Sequence, residues 1–362
     1  MSERVFNFSP GPAVLPLSVL EEAQKELVNY KETGMSILET SHRSKAFEEV
    51  IHSAESLLKE LLDVPDNYRV LFIGMGATGQ FDMVPMNYLT EGKTADYIIT
   101  GSFASKAYKE AAKIGNVNVA GTTKEDNYTR IITSEEINLS ENPAYIHITS
   151  NNTIFGTQWK DFPDFGNVPL IADMSSDILS RKFDVSKFAL IYAGAQKNLG
   201  PAGVAVVIIR DDMIEKSNEN LPTMLRYDTY AKNDSLYNTP PAFTIYIIKL
   251  VLEWVKKSGG LEVMEKFNEE KAAIIYDTID NSNGYYKGHA EKNSRSMMNI
   301  TFRLPDEELE KTFIAEAAKI GLTGLKGHRE VGGIRASVYN AMPKEGCAKL
   351  AEFMKSFQQK SS

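Results

Sequence analysis

The sequence predicts an α/β protein, with a large domain built on a mainly parallel sheet sandwiched by helices and a smaller C-terminal α+β domain. Short, β-branched apolar runs alternate with helical stretches between residues 68 and 209, which is typical of a parallel sheet with helices on both faces. Beyond Asn283 the pattern changes to a compact mixture of strands and helices. A chain of 362 residues has room for both units and for a substantial core.

Composition and charge exclude several classes of protein. The chain is 43% hydrophobic and 24% charged, as is usual for a globular protein. Its net charge is −8, without a long run of one sign, which argues against a surface for nucleic acid or for an anionic membrane. The longest apolar segment, Phe243–Val255, is interrupted by Lys249 and Glu253 and is too short to span a bilayer.

The cysteine content and the first residues bear on the cellular compartment. Cys347 is the only cysteine, so no intrachain disulfide can form and a reducing compartment fits best. Residues 1–7 have neither the basic start nor the apolar stretch of a signal peptide. We therefore expect a cytoplasmic protein with no nucleic-acid partner and no membrane partner.

Three units are expected along the chain. Residues 1–17 are rich in proline and glycine and predict an extended N-terminal arm. Ser18 is the expected N-cap of a helix that runs to Tyr30. We place the large domain at residues 18–260 and the small C-terminal domain, with its connecting helix, at residues 261–362.

The elements of the large domain follow from the apolar runs. Its candidate strands are Tyr68–Ile73, Asp96–Thr100, Ala144–Thr149, Val168–Ala172, Phe188–Ala193 and Val204–Ile209. Two helices then follow, Pro241–Lys257 and Leu261–Asp280, with Gly259 and Gly260 as the break between them. The candidate elements of the small domain are the strands Met297–Leu304, Leu322–Lys326 and Gly333–Tyr339 and the helices Asp306–Ile320 and Lys344–Phe357.

Lys197 is the first candidate for chemistry. It lies in a loop of small residues, Gly194–Gly203, between two apolar runs that read as buried strands. An ammonium at the inner end of such a strand is partly desolvated, which lowers the lysine pKa and makes the amine a usable nucleophile. This is the environment of a Schiff-base lysine. A solvated loop lysine is the alternative, because most lysines are exposed.

A phosphate site is predicted after the first strand. That strand runs into Gly74–Gly79, and a helix is expected to begin near Gln80, so free backbone N–H groups and the Thr78 hydroxyl would form an anion site. The segment also spells GxGxxG, the dinucleotide fingerprint. That fingerprint needs an acid at the end of the next strand, whereas Asp96 stands at its beginning and residues 100–103 at its end carry none.

Further polar and aromatic residues follow the strand ends, where ligands bind in open parallel sheets. Phe103 can stack on a planar ring or pack in the core. Residues 149–153 form a hydroxyl and amide cluster, or an ordinary turn. Asp173 can hold a protonated ring nitrogen, or can cap a helix. Together with Lys197, these groups match the aldehyde, ring nitrogen, flat ring, phenolic oxygen and phosphate of pyridoxal 5'-phosphate.

With these residues in view, the chain resembles the phosphoserine aminotransferases, a family of class V, fold-type I pyridoxal-phosphate enzymes. The resemblance extends over essentially the whole length. It rests on the segments Phe6–Ala13, Ser41–Arg43, Gly79–Phe81, Asp173–Ser176, Tyr192–Asn198, Asn238–Pro241, Lys326–Arg329 and Gly332–Pro343. The last two are particularly diagnostic of the family.

The resemblance implies a set of cofactor-binding residues. They are Ala77, Thr78, Phe103, Thr153, Asp173, Gln196, Lys197, Asn238 and Thr239. Lys197 is implied as the catalytic residue that carries pyridoxal phosphate as a Schiff base, with Asp173 at the ring nitrogen and Phe103 stacked on the ring. Ala77 and Thr78 would receive the phosphate. Asn238 and Thr239 would come from the neighbouring subunit of a homodimer. Thr153 and Gln196 would face the ring and its phenolic oxygen.

Five cationic or titratable residues are implied to bind substrate. They are His42, Arg43, His328, Arg329 and Arg335, although each pair taken alone also fits a surface salt bridge. The arginine fork matches a carboxylate or phosphate in a bidentate way. On the resemblance, Arg335 clamps the substrate α-carboxylate and the two His-Arg pairs bind the distal anion. The pair at residues 42–43 is expected to come from the partner subunit.

The implied reaction transfers the amino group of L-glutamate to 3-phosphohydroxypyruvate, giving O-phospho-L-serine and 2-oxoglutarate. Related members act on 4-phosphohydroxythreonine in vitamin B6 synthesis, and no metal is expected. The alternatives are another class V enzyme such as a cysteine desulfurase, a nicotinamide dehydrogenase, or a catalytically silent binding protein. Cys347 lies in the expected last helix rather than in a mobile loop, and the intact pair of Lys197 and Asp173 argues against a silent relative.

Overall fold

A computed structural model describes residues 4–361. The strands are β1 (Phe6–Asn7), β2 (Tyr68–Ile73), β3 (Thr94–Ile99), β4 (Asn116–Thr122), β5 (Tyr145–Thr149), β6 (Asn151–Asn152), β7 (Thr157–Gln158), β8 (Leu170–Asp173), β9 (Leu190–Gly194), β10 (Ala205–Arg210), β11 (Lys287–Gly288), β12 (Asn299–Arg303), β13 (Leu322–Thr323) and β14 (Ile334–Ser337). The α-helices are α1 (Leu17–Glu26), α2 (Lys45–Leu61), α3 (Ala77–Tyr88), α4 (Ser102–Ala111), α5 (Asp211–Glu215), α6 (Tyr227–Lys232), α7 (Ala242–Lys257), α8 (Gly260–Asp280), α9 (Glu307–Lys319) and α10 (Lys344–Ser361).

The large sheet has seven strands in the order β2-β10-β9-β8-β5-β3-β4. Neighbouring strands are parallel except at β10, which is antiparallel to both β2 and β9. At the start of β10, Ala205 pairs with Gly194 on one side and with Ile73 on the other. The carboxyl ends of β2 and β9 therefore meet at one edge of the sheet, and the prediction of a mainly parallel sheet is confirmed.

Helices cover both faces of this sheet because its strands are apolar on both sides. Along β2, Val70 and Phe72 belong to a core shared with α1, α2 and α7. Leu71 and Ile73 point to the opposite face and belong to a core shared with α3, α4 and α6. The two apolar cores hold the strand ends rigidly, which positions the loops that follow them.

The C-terminal unit has its own core. The sheet β11-β12-β14 is antiparallel and packs with α8, α9 and α10. Phe8 and Val14, both from the N-terminal arm, are buried in this core. The limits that we assign to the arm and the two domains stay a prediction.

One predicted strand of the small domain is shorter than expected and pairs outside the three-stranded sheet. We expect residues 322–326 in the compact C-terminal unit, but β13 covers only Leu322–Thr323 and pairs in parallel with β1. Further along, Lys326 forms only an isolated bridge to Ile334. The partner of β13 lies more than three hundred positions away in the chain, and local sequence patterns carry no information on such a pairing.

Two predicted helix starts are also wrong. Ser18 is not an N-cap, since Pro16 takes that position and its carbonyl accepts the first helical N–H groups of α1, which ends at Glu26. Helix α3 begins at Ala77 rather than near Gln80, because Gly76 is already extended and ends the loop. The sequence analysis also missed β4, an edge strand that pairs only with β3 and contains asparagine, glycine and threonine.

Gly156 supports a test of how closely the two units pack. Its φ is +74°, and a Cβ there would lie 2.8 Å from the backbone oxygen of Asn299 in β12. We predict that Gly156→Ala lowers the free energy of unfolding by roughly 3 kcal/mol or more, from the strained φ together with the steric overlap. The measurement is urea denaturation at equilibrium.

Gly166→Ala is the matched control, since Gly166 has a similar φ of +62° and no atom within 4 Å of the added Cβ. It is expected to cost only about 1–2 kcal/mol. Equal losses for the two variants would contradict the close approach between residue 156 and β12.

Candidate active site

A cavity of about 140 Å³ lies where the carboxyl ends of β2, β8 and β9 meet. Its lining includes six residues of the predicted site: Ala77, Thr78, Phe103, Asp173, Gln196 and Lys197. These residues come from four separate parts of the sequence, and the parallel sheet brings them to one edge.

Lys197 is the reactive group of this cavity. Its Nζ donates a hydrogen bond to Oγ1 of Thr153 at 2.7 Å and lies 5.3 Å from the ring centroid of Phe103. Burial lowers the pKa of Lys197 to about 8; Asp173 opposes that shift, while the positive charge of Arg335 reinforces it. At pH 7 roughly a tenth of the Lys197 side chains are therefore neutral amines, far more than for a lysine with the usual pKa.

Asp173 ends β8 and is buried beside the cavity. Burial raises its pKa, and the charge of Lys197 and the hydrogen bonds from Ser175 counteract this. Oδ1 accepts from the Ser175 amide at 2.9 Å and from the Ser175 hydroxyl at 2.6 Å. The Ser175 hydroxyl in turn accepts from the amide of Gly194 at 3.0 Å. Asp173 is thus held in one orientation and tied to the strand next to it.

Ser175 is a residue that the sequence analysis missed. It lines the cavity and couples Asp173 to β9. The available signal was local, since an aspartate followed two positions later by a serine is a common turn in which the carboxylate accepts the serine N–H.

The first turn of α3 forms the anion end of the cavity. Ala77 and Thr78 are the first two residues of this twelve-residue helix, so their amides have no carbonyl acceptor within it. A Cβ at Gly194 would come within 3.3 Å of the Ala77 amide nitrogen. The glycine therefore keeps this helix end open to a ligand, which the helix dipole would favour if it is an anion.

The N-terminal arm covers the loop that carries Lys197. A Cβ on Gly11 would lie 3.5 Å from Cγ of both Gln196 and Lys197, and the Ala13 amide donates to the Gln196 carbonyl at 2.9 Å. The sequence analysis treated this arm as an extended segment and did not predict that it contacts the site.

Arg335 lies next to Lys197 although it belongs to the small domain. It is on β14 with 6% of its surface exposed, and its Nη1 lies 3.5 Å from the carbonyl oxygen of Thr153. Within residues 4–361, Nε of Arg335 is buried and has no hydrogen-bond partner. Burial lowers the pKa of this guanidinium. A buried cation with an unused donor is suited to bind an anionic ligand.

His328 and its neighbours line the approach to Arg335. Burial lowers the pKa of His328; Glu330 opposes this, and the charges of Arg335, Lys106 and Arg329 add to it. The Glu330 carboxylate accepts a hydrogen bond from the Ser102 hydroxyl at the start of α4.

Lys106, Glu330 and Ser102 were not predicted as site residues. Lys106 Nζ lies 5.0 Å from the ring centroid of Phe103. The sequence could have shown that Lys106 lies near Phe103, because it follows that residue by one helical turn. Nothing in the sequence links residues 102 and 330.

Eight of the fourteen predicted site residues do not line the cavity: Thr153, His328, Arg329 and Arg335, which lie near Lys197 or near one another, and four more. In the described part of the sequence, His42, Arg43, Asn238 and Thr239 are absent from its lining. Three of them are exposed, and Nε2 of His42 is buried without a hydrogen-bond partner among residues 4–361. Their proposed contribution through a second subunit stays a prediction.

Neither a membrane-spanning helix nor a metal-binding cluster occurs among residues 4–361. No helix in that range is both long and apolar enough to cross a membrane. No three histidine, cysteine, aspartate or glutamate side chains of these residues converge in a way that could hold a metal ion.

Comparisons with known proteins agree with this geometry. The sequence model of the family described as Aminotransferase class-V matches residues 5–350. The chain is 60% identical to the phosphoserine aminotransferase of Geobacillus kaustophilus (strain HTA426) over 358 residues, which cover 99% of each chain.

Solved structures are similar over the full length. The phosphoserine aminotransferase from Bacillus circulans subsp. alkalophilus superposes with a TM-score of 0.98 at 56% identity, covering 100% of both chains. The PLP-bound phosphoserine aminotransferase from Trichomonas vaginalis has a TM-score of 0.93 at 40% identity, covering 97% of this chain and 100% of the other.

The shifted pKa of Lys197 can be tested on cofactor-free protein. We predict that acylation of Lys197, followed by mass spectrometry of its peptide, rises with pH with a midpoint of about 8. Asp173→Asn removes a negative charge that stabilises the ammonium, so the midpoint should fall. Lys182, which is exposed and whose pKa is raised by Glu262 and Asp63, is the internal control. A common midpoint for Lys197 and Lys182 would contradict the desolvated site.

Proposed function

This chain belongs to the class-V aminotransferase family, and from that premise we propose how its own residues carry out the reaction. It is a pyridoxal-phosphate-dependent transaminase that transfers the amino group of L-glutamate to 3-phosphohydroxypyruvate, giving O-phospho-L-serine and 2-oxoglutarate. The observation that carries the assignment of residues is the half-buried Lys197, with its lowered pKa, sharing one cavity with Asp173.

The residues of the cavity fit pyridoxal phosphate. Lys197 offers a neutral amine to an aldehyde, and Asp173 offers a buried carboxylate to a ring N–H⁺. The open amides of Ala77 and Thr78 suit the phosphate, and Phe103 supplies an aromatic face. When bound, the cofactor supplies an electron-withdrawing ring conjugated to the substrate nitrogen.

Lys197 has two proposed tasks, both at Nζ. As a neutral amine, Nζ would hold the cofactor covalently. Once the substrate amine has displaced it, the free Nζ would accept the proton from the substrate α-carbon and return it to the cofactor carbon on the other side of the substrate nitrogen. A pKa of about 8 suits both directions of proton transfer near neutral pH. Asp173 is proposed to hold the proton of the ring nitrogen away from water. Its carboxylate is buried, and the hydrogen bonds from Ser175 set its orientation.

Arg335 is proposed to bind the α-carboxylate of every substrate. Its position beside Thr153, which also accepts from Lys197, places the carboxylate close to the reactive amine. His328 and Arg329 are proposed to bind the distal anion, which is a carboxylate in one half-reaction and a phosphate in the other. A histidine suits both, since its charge can follow the charge of the substrate.

We propose that the active form is a homodimer with shared sites. Exposed apolar side chains cluster in the segment just before His42, with Val28 at 81% and Leu38 at 61% exposure and Leu27 and Met35 also exposed. Several exposed large apolar side chains within one segment favour a protein partner. A second copy placed on this segment would also bring residues 42–43 next to a neighbouring site, in keeping with the proposed role of that pair.

A cysteine desulfurase reaction is disfavoured by the structure. Cys347 is a free cysteine, fully buried in α10, and burial raises the pKa of its thiol to about 12. Such a thiol is neither accessible nor ionised near neutral pH. A cytoplasmic location remains part of the proposal, supported by this single reduced cysteine.

The function is tested with purified protein reconstituted with pyridoxal phosphate. We expect formation of O-phospho-L-serine from L-glutamate and 3-phosphohydroxypyruvate, and Lys197→Ala should lower turnover by at least about 10³-fold. Lys160→Ala is the matched control, because Lys160 is also a desolvated lysine with a lowered pKa but bonds to the carbonyl of Arg295 outside the cavity. Near-normal turnover by Lys197→Ala would remove Lys197 from its role.

Shared sites can be tested by complementation. Lys197→Ala and Arg43→Met are each expected to be nearly inactive alone. When the two are denatured together and refolded, random pairing leaves one intact site in each mixed dimer, so about a quarter of the wild-type activity should return. Each variant refolded alone is the control. If no activity returns although mixed dimers form, Lys197 and Arg43 do not act across subunits.

A further inference from the structure

A group of buried polar residues joins the loop of Lys197 to the small domain. The group consists of Asn198, Asn268, Lys271 and Asn340, which we call the polar seam. Each is at most 5% exposed. Asn198 directly follows Lys197, Asn268 and Lys271 lie on α8, and Asn340 lies three residues after the end of β14. None of the four was singled out by the sequence analysis.

Lys271 is the centre of the seam. Its Nζ donates to the carbonyl oxygens of Val338 at 2.9 Å, Tyr339 at 2.8 Å and Asn340 at 3.4 Å. Nζ also lies 4.7 Å from the ring centroid of Phe267. The three N–H groups of the ammonium thus match three consecutive carbonyls, and no carboxylate of residues 4–361 forms an ion pair with it.

Burying this cation is costly. Burial lowers the pKa of Lys271 to about 7. An apolar side chain would avoid that cost, so the position is not explained by stability alone. What the ammonium does in this structure is hold the backbone that leaves β14.

Asn340 connects that backbone to the large domain. The backbone N–H of Asn340 donates to Oδ1 of Asn198 at 3.0 Å, and Nδ2 of Asn198 donates to the Ile178 carbonyl at 3.1 Å. Asn198 therefore bonds at once to the chain after β14 and to the loop after Asp173.

The side chains of Asn340 and Asn268 repeat this connection. Nδ2 of Asn340 donates to the Leu179 carbonyl at 2.8 Å. Nδ2 of Asn268 donates to the Ser180 carbonyl at 3.0 Å and to Oδ1 of Asn340 at 2.9 Å. The seam is thus a continuous set of hydrogen bonds between α8, the chain after β14 and the loops that follow Asp173 and Lys197.

The strand that the seam holds is the one that carries Arg335. Within its three-stranded sheet β14 pairs with β12, and on its other side the backbone amide of Arg335 donates to the Leu325 carbonyl at 2.8 Å and that of Ser337 donates to the Phe8 carbonyl at 3.2 Å. Backbone hydrogen bonds therefore hold β14 itself on both sides, and Lys271 adds hydrogen bonds to the three residues that follow it. The Arg335 side chain reaches Thr153, and the bonds of Lys271 fix the direction in which the chain leaves the strand.

We propose that Lys271 is a positioning residue, which through the polar seam sets Arg335 at its working distance from Lys197. The proposal rests on the proposed function in one respect, namely that Arg335 binds the substrate α-carboxylate. Lys271 itself touches neither the cavity nor its lining within residues 4–361.

The test compares Lys271→Met with Lys249→Met, both reconstituted with pyridoxal phosphate. Methionine keeps the length of the side chain and removes its three donors. Lys271→Met should raise KM for both L-glutamate and 3-phosphohydroxypyruvate about tenfold, with a smaller change in kcat, because the carboxylate clamp is displaced. Lys249 is also largely buried, at 9% exposure, but pairs with Glu253 on α7, so its variant should leave KM unchanged.

A second measurement needs no substrate. Since the charge of Arg335 lowers the pKa of Lys197, displacement of Arg335 should raise the midpoint for acylation of Lys197 in the cofactor-free protein. Lys271→Met and Asn198→Ala should both raise it. If the wild-type protein proves inactive but these midpoints shift, the proposed function fails and the positioning role stands.

Lys271→Met and Asn198→Ala can also be combined in a double-mutant cycle. If Lys271 and Asn198 act through one connected seam, the double variant should show about the same KM and midpoint as the stronger single variant rather than the product of both effects. Should Lys271→Met fail to fold, Asn198→Ala carries the same two predictions. Unchanged KM and midpoint in the folded variants, with loss of thermal stability only, would overturn the proposal, as would independent effects.

Discussion

Asp173 is buried and Lys197 is half-buried at the ends of adjoining strands, and the chemistry of the cavity depends on this partial desolvation. Burial raises the pKa of Asp173 and lowers the pKa of Lys197, so it favours the neutral form of each group. The attraction between their charges opposes both shifts. The balance leaves an amine that is partly deprotonated near neutral pH and a carboxylate oriented by Ser175. Both groups would behave as ordinary surface charges if the strands ended in solvent.

The rest of the structure maintains that environment. Two apolar cores fix the strand ends from either face of the sheet, the N-terminal arm covers the loop of Lys197 at Gly11, and the small domain brings in Arg335. The polar seam around Lys271 then joins the two sides of the site by hydrogen bonds rather than by apolar packing. Hydrogen bonds are directional, so they define a distance and an angle between two units more sharply than apolar contact does.

Where the sequence analysis was wrong, the deciding contact was either remote or polar. The strand expected at residues 322–326 is shorter than predicted, and its pairing with β1, from the opposite end of the chain, was not foreseen. β4 was missed because an edge strand with one partner needs few apolar residues. Ser18 and the start of α3 were misplaced because backbone conformation at Pro16 and Gly76, rather than side-chain capping, begins those helices.

The sequence by itself determined the α/β class, the apolar strands and the chemistry of the residues that follow them, because burial periodicity and side-chain type are local properties. Lys197, Asp173 and Phe103 could be chosen on that basis, and the parallel sheet brings them together as expected. Only the tertiary structure decided that Ser175 orients Asp173, that Arg335 meets Lys197 at Thr153, and that Lys271 holds the strand of Arg335. These depend on distances between segments far apart in the chain, which follow from packing rather than from sequence pattern.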